Sequence, residues 1–296
     1  MSYPLRFPTE KPLVTLTHPT ASIWIIELHN GPDSRLSTAL INDGLQPALD
    51  AVERDWRNGW RAARAAKNKT GGKGALIIVG NRGQDKFFSN GLDFDSLSKD
   101  PHYSLNFFPH VYNPLMRRLI TFPIPTIAAI NGHCFAGAMM LSLCCDYRVI
   151  TDGGKRNVWM CMNEIHLGAG FPQSFTSLIR AKIPDARTHR KVILEGHRFS
   201  PSEALEAGLV DHTVNGDTEA VIAKAQQVAD TVSSLCIPGS WGISKVRVTI
   251  ACGAVDKLAD PSLAQRELYR DVIEASTKDT VIANVPADDA VAKAKL

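Results

Sequence analysis

Apolar segments of strand length alternate with segments of helical periodicity through the first half of this 296-residue chain. Residues 23–28, 74–79 and 124–130 are rich in Ile, Val, Leu and Ala, which is typical of buried strands. Residues 37–57 instead repeat apolar side chains at helical spacing, at Leu40, Ile41, Leu45, Leu49 and Val52. Beyond residue 171 helical patterns dominate. This order predicts an α/β core followed by a helical C-terminal region.

The predicted helices of the second half follow one another closely. They cover residues 173–182, 186–194, 201–207, 218–235, 240–251 and 263–276, and a short strand is predicted over residues 209–214. No linker between them is long enough or polar enough to mark a second independent domain. The pattern therefore predicts that the helical region belongs to the same domain as the core.

Charge and hydropathy argue against several classes of protein. The chain carries 33 Lys and Arg against 30 Asp and Glu, a formal charge of +3 that is too small to indicate a nucleic-acid partner. No apolar stretch reaches the roughly 18 residues that a membrane span requires. The six cysteines lack the paired spacing of zinc sites, and we expect them to be reduced. The sequence thus predicts no nucleic-acid partner, no membrane span and no bound metal.

Three segments carry the pattern of a reactive site. Residues 86–93 read KFFSNGLD, residues 130–146 read INGHCFAGAMMLSLCCD, and residues 160–168 read MCMNEIHLG. In the first two, a small or polar residue beside glycine leads into an apolar helix start, which leaves backbone N–H groups without a helical partner. Two such N–H groups from separate segments are able to form an oxyanion hole.

These segments resemble those of the enoyl-CoA hydratase/isomerase, or crotonase, family. The first resembles the family pattern F-S-A-G-x-D-L, the second N-G-x-A-x-G-G-G-x-x-L-x-x-x-C-D, and the third F-x-x-P-E-x-x-x-G. Residues 199–211, FSPSEALEAGLVD, resemble a fourth family pattern, A-x-x-A-x-x-x-G-L-V-D. The order and separation of the motifs agree with the family, and the resemblance runs from about residue 13 to residue 214.

The resemblance implies an α/β fold of the ClpP/crotonase type, a superhelix of β-β-α units. Residues 1–214 would form the crotonase-like core, residues 215–283 a helical oligomerisation region of the same domain, and residues 284–296 a tail. The family's assemblies imply a homotrimer or hexamer. The implied substrate is a fatty acyl-CoA, and no separate cofactor is expected because coenzyme A is part of that substrate.

The resemblance also assigns site residues. The backbone N–H groups of Asn90 and Gly137 would form the oxyanion hole for the thioester carbonyl, with Asn90 standing where the family usually has alanine. Further residues at family positions would line the bound CoA ester: Ser34, Arg35, Leu36, Lys86, Ser89, Gly91, Leu92 and Asp93.

Two positions decide which reaction the resemblance implies. Hydratases of the family carry two glutamates, and the first of these positions is Met140 here, which transfers no protons. The second position is Glu164. Because hydration requires a group that activates water and protonates carbon in concert, the loss of one carboxylate argues against it. A single base suffices for a 1,3-proton shift, so the sequence resembles the one-glutamate delta-3,delta-2-enoyl-CoA isomerases of β-oxidation, with Glu164 as the catalytic base.

Other interpretations stay open on the residues alone. Within the family, a weak enoyl-CoA hydratase or another crotonase-type acyl-CoA enzyme is the alternative. From a different class, a non-catalytic acyl-CoA-binding subunit would retain the oxyanion hole without turnover. Glu164 would then be an ordinary surface or capping carboxylate.

The last three residues, Ala294, Lys295 and Leu296, resemble the Ser-Lys-Leu peroxisomal address. The preceding stretch is polar and composed of small residues, as an accessible tail requires. The tail predicts recognition by a peroxisomal import receptor and a location in the peroxisomal matrix, where acyl-CoA chemistry of this kind takes place.

Overall fold

A computed structural model describes residues 2–99 and 103–249 of the chain. Ten β-strands run through these residues: β1 (Leu5–Phe7), β2 (Val14–Thr20), β3 (Ile23–Leu28), β4 (Ala75–Val79), β5 (Phe87–Ser89), β6 (Thr126–Ile130), β7 (His133–Phe135), β8 (Tyr147–Thr151), β9 (Met160–Cys161) and β10 (His212–Val214). They form two separate sheets, one of seven strands and one of three.

Ten α-helices lie in the same described residues: α1 (Gln46–Ala65), α2 (Phe94–Lys99), α3 (Tyr103–Phe107), α4 (Asn113–Ile120), α5 (Gly137–Cys144), α6 (Gln173–Lys182), α7 (Ala186–Ile193), α8 (Pro201–Glu206), α9 (Thr218–Val232) and α10 (Trp241–Thr249). Shorter turns complete them. Leu40–Leu45 and Phe108–Tyr112 are π-helical, and Glu164–Leu167 and Ser233–Cys236 are 3-10 helices. No helix of these residues is long and apolar enough to cross a bilayer.

The larger sheet has seven strands in the order β1-β2-β3-β4-β6-β8-β10. Its first two pairings are antiparallel, and all pairings from β3 to β10 are parallel. Strands β4 and β6 are buried along their whole length, because apolar side chains leave both of their faces. One face packs on α9, and the other faces the main core with α1, α4 and α5. The sheet is therefore enclosed between layers of helices.

The smaller sheet consists of three short parallel strands in the order β5-β7-β9. Phe88, Cys134 and Met160 point from it into the main core and are fully buried. Each strand passes directly into a loop at its carboxyl end. Because the strands are parallel, these three loops meet at one edge of the sheet.

The strand predicted over residues 23–28 is confirmed at both ends as β3, and those predicted over residues 74–79 and 124–130 are confirmed as β4 and β6, which begin one and two residues later. The helix predicted over residues 37–57 differs, since it begins with the π-helical turn Leu40–Leu45 before α1. The sequence missed β5 and β7, which are three residues long and show no periodicity. The predicted helix over residues 263–276 and the tail lie outside the described residues.

Candidate active site

The three loops at the carboxyl edge of the small sheet hold the residues singled out by the sequence motifs. Asn90, Gly91 and Leu92 follow β5, Ala136 and Gly137 follow β7, and Glu164 lies three residues beyond β9. The first two loops place backbone N–H groups at this edge, and the third places the side chain of Glu164 there. The motifs, which are far apart in the sequence, therefore converge on one site.

Ala136 and Gly137 form the turn between β7 and α5. Ala136 has φ 49° and ψ −125°, a conformation that costs free energy for any residue with a Cβ atom. Gly137 is the first residue of α5, so its N–H has no partner within the helix. A Cβ atom at Gly137 would lie 2.5 Å from Cδ2 of Leu92, which excludes a side chain at this position. The turn therefore presents a free N–H beside the loop that follows β5.

Gly91 brings the first two loops into contact. Its φ is 84°, in the left-handed region, and a Cβ atom there would lie 2.7 Å from the carbonyl oxygen of Phe135. The same atom would lie 2.8 Å from Cβ of Ala136 and 3.3 Å from the nitrogen of Gly137. Glycine is thus required both by the backbone angle and by the close approach of the second loop.

The structure does not support Asn90 as the oxyanion donor. Its backbone N–H donates to the carbonyl oxygen of Asp33 at 2.9 Å, and its side-chain Nδ2 donates to Oδ2 of Asp33, also at 2.9 Å. Within the described residues the N–H of Leu92 makes no hydrogen bond. The free N–H next to Gly137 therefore belongs to Leu92. The sequence holds no sign of this, because residues 90 and 92 both flank the glycine and the contact with Asp33 exists only in the folded chain.

Glu164 begins the 3-10 helix Glu164–Leu167. Its Oε2 atom is buried, and no described residue gives it a hydrogen bond. Burial raises the pKa of Glu164 from 4.5 to about 7, while a hydrogen bond from its own backbone N–H lowers it slightly. A carboxyl group with this pKa exists in both protonation states near neutrality, as a general acid or base requires.

Gly196 anchors the short helix that carries Glu164. Its φ is 54°, and a Cβ atom there would lie 2.5 Å from Nε2 of His166. The carbonyl oxygen of Gly196 lies 3.3 Å from Nε2 of His166 and 3.3 Å from Sγ of Cys161. These contacts hold both ends of the segment between β9 and the 3-10 helix. Sequence motifs gave no indication of Gly196.

The position that carries a second carboxylate in the family's hydratases is Met140. It lies in α5, every residue of which is buried. Met160 and Met162, on either side of Cys161, are buried as well. Among the described residues, no group of three His, Cys, Asp or Glu side chains is arranged to hold a metal ion. The loop after β9 thus brings the carboxyl group of Glu164 to the same edge as the turn that leads into α5.

Three of the residues predicted to line the substrate have side chains that pack inside the protein. Ser34, Leu36 and Ser89 are fully buried. Ser34 Oγ donates to the carbonyl oxygen of Leu28 at 3.4 Å, and Ser89 Oγ donates to the carbonyl oxygen of Ser34 at 2.6 Å. These side chains pack within the protein and hold the loops together, and a role of the three residues in substrate binding stays a prediction.

Of the charged residues predicted to bind CoA, two lie near the loop edge and one lies at the opposite end of β5. Arg35 lies 3.0 Å from Asp33 and 3.8 Å from Asp95, so it belongs to the network that includes Asn90. The hydrogen bond to Asp33 raises the pKa of Arg35. Asp93 accepts a hydrogen bond from Ser96 at 2.7 Å. Lys86 is exposed at the amino end of β5, opposite to the loops, with Nζ 5.3 Å from the ring centre of Phe87. Of the three, Lys86 does not lie at the loop edge.

Known proteins resemble this chain in sequence and in fold. The family profile described as Enoyl-CoA hydratase/isomerase matches residues 67–235. The peroxisomal enoyl-CoA delta isomerase 2 of Arabidopsis thaliana is 30% identical over 167 residues, 55% of this chain and 68% of the relative. The mitochondrial enoyl-CoA delta isomerase 1 of Mus musculus is 31% identical over 224 residues, 75% of this chain and 69% of the relative.

A solved structure of an enoyl-CoA hydratase/isomerase family protein from Pseudomonas syringae superposes on the chain with a TM-score of 0.72. The two sequences are 21% identical, and the match covers 92% of this chain and 98% of the other. The shared fold confirms the crotonase-type α/β fold predicted from the motifs.

Proposed function

Because this chain belongs to the enoyl-CoA hydratase/isomerase family, we propose that it converts 3-enoyl-CoA to 2-trans-enoyl-CoA in fatty-acid β-oxidation. The observation that carries the proposal is the carboxyl group of Glu164, which is buried, lacks a hydrogen bond at Oε2 and has a pKa of about 7. It lies at the same sheet edge as the free N–H groups of Leu92 and Gly137. A base and an oxyanion hole are the two parts that a proton shift beside a thioester needs.

In the proposed reaction Glu164 removes a proton from C2 of the acyl chain, which lies between the thioester and the double bond. The electrons move into the thioester, and the dienolate oxygen accepts hydrogen bonds from the N–H groups of Leu92 and Gly137. The glutamic acid then returns the proton to C4, and the double bond ends between C2 and C3. Each oxyanion donor would stabilise the transition state by about 2.7–4 kcal/mol.

Met140 supports isomerisation over hydration. Addition of water to a 2-enoyl thioester requires a group that orients and deprotonates the water while a proton reaches the neighbouring carbon. A buried thioether at residue 140 supplies neither function. Isomerisation needs no water, and an apolar site that excludes water favours return of the same proton.

The test is an assay with 3-hexenoyl-CoA and purified protein, followed by absorbance of the conjugated 2-enoyl thioester. Wild type should form the product, and Glu164→Gln should lower kcat by about 1,000-fold or more because the proposed base is lost. The matched control is Glu206→Gln, which changes an exposed glutamate on α8 and should leave kcat unaltered. Full turnover by Glu164→Gln would contradict the single-base mechanism.

The same protein given 2-hexenoyl-CoA separates the alternatives. Formation of the 3-hydroxyacyl thioester at a rate above isomerisation would assign a hydratase. Binding of both thioesters without any turnover would assign a non-catalytic acyl-CoA-binding subunit. Either result would replace the proposed isomerase.

We also propose a homotrimer or hexamer in solution. Ile165, Leu167 and Leu194 are 46%, 53% and 64% exposed, which is high for apolar side chains. A Cβ atom at Gly196 would lie 2.9 Å from Cγ2 of Ile165, so Ile165 lies close to the chain segment that follows Leu194. A second copy of the chain would remove such an apolar surface from water. Light scattering coupled to size-exclusion chromatography tests the assembly, and a monomer at micromolar concentration would contradict it.

For location we propose the peroxisomal matrix. The proposal is supported by the resemblance of Ala294, Lys295 and Leu296 to the peroxisomal address and by similarity to an Arabidopsis thaliana isomerase whose name places it there. Deletion of the three residues should release the protein to the cytosol and leave its activity unchanged. Unaltered localisation of the shortened chain would count against this address.

A further inference from the structure

A tyrosine outside the three loops contacts the oxyanion turn directly. Tyr112 ends the π-helical turn Phe108–Tyr112, is fully buried, and donates its hydroxyl hydrogen to the carbonyl oxygen of Gly137. Gly137 is the first residue of α5, so the Tyr112 hydroxyl binds a carbonyl group in the first turn of that helix.

The ring of Tyr112 is held by other aromatic rings. Its centre lies 5.5 Å from that of Phe175, 6.0 Å from that of Phe107 and 6.3 Å from that of Phe108. Phe107 and Phe175 are themselves buried. Such packing leaves the ring little rotational freedom, so the hydroxyl has a fixed position against α5.

The hydroxyl remains a hydrogen-bond donor at every working pH. Burial raises the pKa of Tyr112 well above its usual value, and the nearby negative charge of Glu164 adds to this rise. A group that stays protonated provides a constant contact, whereas Glu164 must change its protonation state during the reaction.

The residue before Gly137 explains why such a contact is needed. Ala136 has φ 49°, a backbone angle that glycine adopts without steric cost and that strains alanine. Strained backbone persists only where surrounding contacts hold it. The Ala136–Gly137 peptide carries the N–H of the proposed oxyanion hole, and the carbonyl of the next peptide group, that of Gly137, accepts the hydrogen bond from Tyr112.

We infer that Tyr112 is a positioning residue for the oxyanion hole. By binding the Gly137 carbonyl it holds the strained turn at Ala136 in the orientation that directs the Gly137 N–H toward the thioester oxygen. The inference rests on the proposed isomerase activity for its kinetic test. It does not require Tyr112 to touch the substrate.

The first test compares Tyr112→Phe with Tyr103→Phe. Both changes remove one hydroxyl and keep the ring, and Tyr103 bonds Thr38 at 2.7 Å, away from α5. With 3-hexenoyl-CoA, Tyr112→Phe should lower kcat by about tenfold or more and change KM by less than about threefold. The loss should be smaller than the 10²–10³-fold that follows removal of an oxyanion donor, since the donor is displaced and not deleted. Tyr103→Phe should keep kcat within about twofold of wild type. Equal kcat in the two variants would overturn the inference.

The second test relaxes the turn itself. In an Ala136→Gly background residue 136 has no Cβ atom, so its backbone angle is no longer strained and no contact is needed to hold it. The additional Tyr112→Phe change should then lower kcat by about threefold or less. The same tenfold loss in both backgrounds would contradict the role assigned to the strained turn. The double variant also serves if Tyr112→Phe alone does not fold, with Ala136→Gly as its reference.

A third measurement separates this inference from the proposed function. Protein labelled with ¹⁵N-glycine reports the Gly137 amide, and butyryl-CoA binds as a saturated thioester that has no double bond to shift. The Gly137 resonance should move on binding in wild type and move much less in Tyr112→Phe. If wild type lacks isomerase activity but shows this difference, the proposed function fails and the positioning role stands. Equal shifts in both proteins would overturn the positioning role.

Discussion

The two sheets of the molecule differ in whether the polar groups at their strand ends have hydrogen-bond partners among the described residues. In the seven-stranded sheet, β4 and β6 are buried throughout, and their side chains fill two clusters, one against α9 and one in the main core. In the three-stranded sheet, the strands are no longer than three residues and end in loops with left-handed backbone at Gly91 and Ala136. At its edge lie free N–H groups and a buried carboxyl oxygen without a partner.

This difference suggests a division of roles: the large sheet stabilises the fold, and the edge of the small sheet carries the proposed chemistry. Every polar group left unpaired in a buried place costs free energy, and a site that will bind an oxyanion and move a proton needs such groups. The large sheet supplies the apolar burial that offsets this cost. We therefore expect changes in the large sheet to alter unfolding and changes at the small-sheet edge to alter turnover.

The largest effect is expected for Ile77→Ala in β4. Ile77 is fully buried in the cluster between the large sheet and α9. Removal of its outer carbons should lower the free energy of unfolding by about 2–5 kcal/mol, measured by urea titration. The more conservative Ile77→Val should lower it by about 0.5–1.5 kcal/mol. The kcat of the folded fraction should not change, and a tenfold drop in kcat would break the separation between the sheets.

The next effect concerns Gly91→Ala at the small-sheet edge. A Cβ atom at Gly91 would meet Phe135 and Ala136 within 3 Å, so the two loops must move apart. We expect kcat to fall by about 100-fold, as when an oxyanion donor is lost. Gly31→Ala is the matched control, because Gly31 has φ 66° but no atom within 4 Å of the new Cβ. The control should lose about 1–2 kcal/mol of stability and no activity. Equal kcat in both variants would show that the clash is harmless.

Glu164→Gln should make the protein more stable while inactivating it. Folding raises the pKa of Glu164 from 4.5 to about 7, so the unfolded chain loses this proton first as pH rises. Between these values the folded state binds more protons, and stability falls with rising pH. At pH 8 the neutral glutamine should therefore raise the free energy of unfolding by about 3 kcal/mol. At pH 5 the gain should be below about 1 kcal/mol. Urea titrations at both pH values measure it, and an equal gain at both would show that ionisation of the buried carboxyl group is not its cause.

The smallest effect is the pH dependence of the wild-type enzyme. Glu164 must be ionised to accept a proton, so kcat/KM, which reports the free enzyme, should rise as pH increases through about 7 and level off above it. Between pH 6 and pH 8 the increase should be about tenfold. A kcat/KM that is constant over this range would place the pKa of the base in the free enzyme well below 6, which is incompatible with a carboxyl group whose pKa is raised by burial.

The sequence predicted elements whose cause is local. The strands of residues 23–28 and 74–79 were located correctly because their apolar and β-branched residues form nearly continuous runs. Gly137 and Glu164 were predicted as site residues because they occupy positions in recognisable motifs. The location of both at one sheet edge follows from the parallel pairing of β5, β7 and β9.

The rest depended on contacts between distant parts of the chain. Asn90 was predicted as a donor, and it is engaged by Asp33, which lies 57 residues earlier. Tyr112 acts on Gly137 across 25 residues, and Gly196 lies against His166 across 30. No local sequence pattern distinguishes such residues, since tyrosines at helix ends and glycines in loops are common in proteins of every function. Only the folded chain identifies them.

The proposed oxyanion site consists of main-chain atoms, while the proposed acid–base chemistry depends on the side chains at residues 140 and 164. A point mutation replaces a side chain and leaves the peptide group in place. Substitutions at these two positions would therefore change which proton transfers the site performs and leave in place the peptide groups that bind the thioester oxygen. Gly91 and Gly137 lack this freedom, because a Cβ atom at Gly91 would clash with Phe135 and Ala136, and one at Gly137 would clash with Leu92. A change of reaction at this site is therefore accessible through residues 140 and 164 and not through the two glycines.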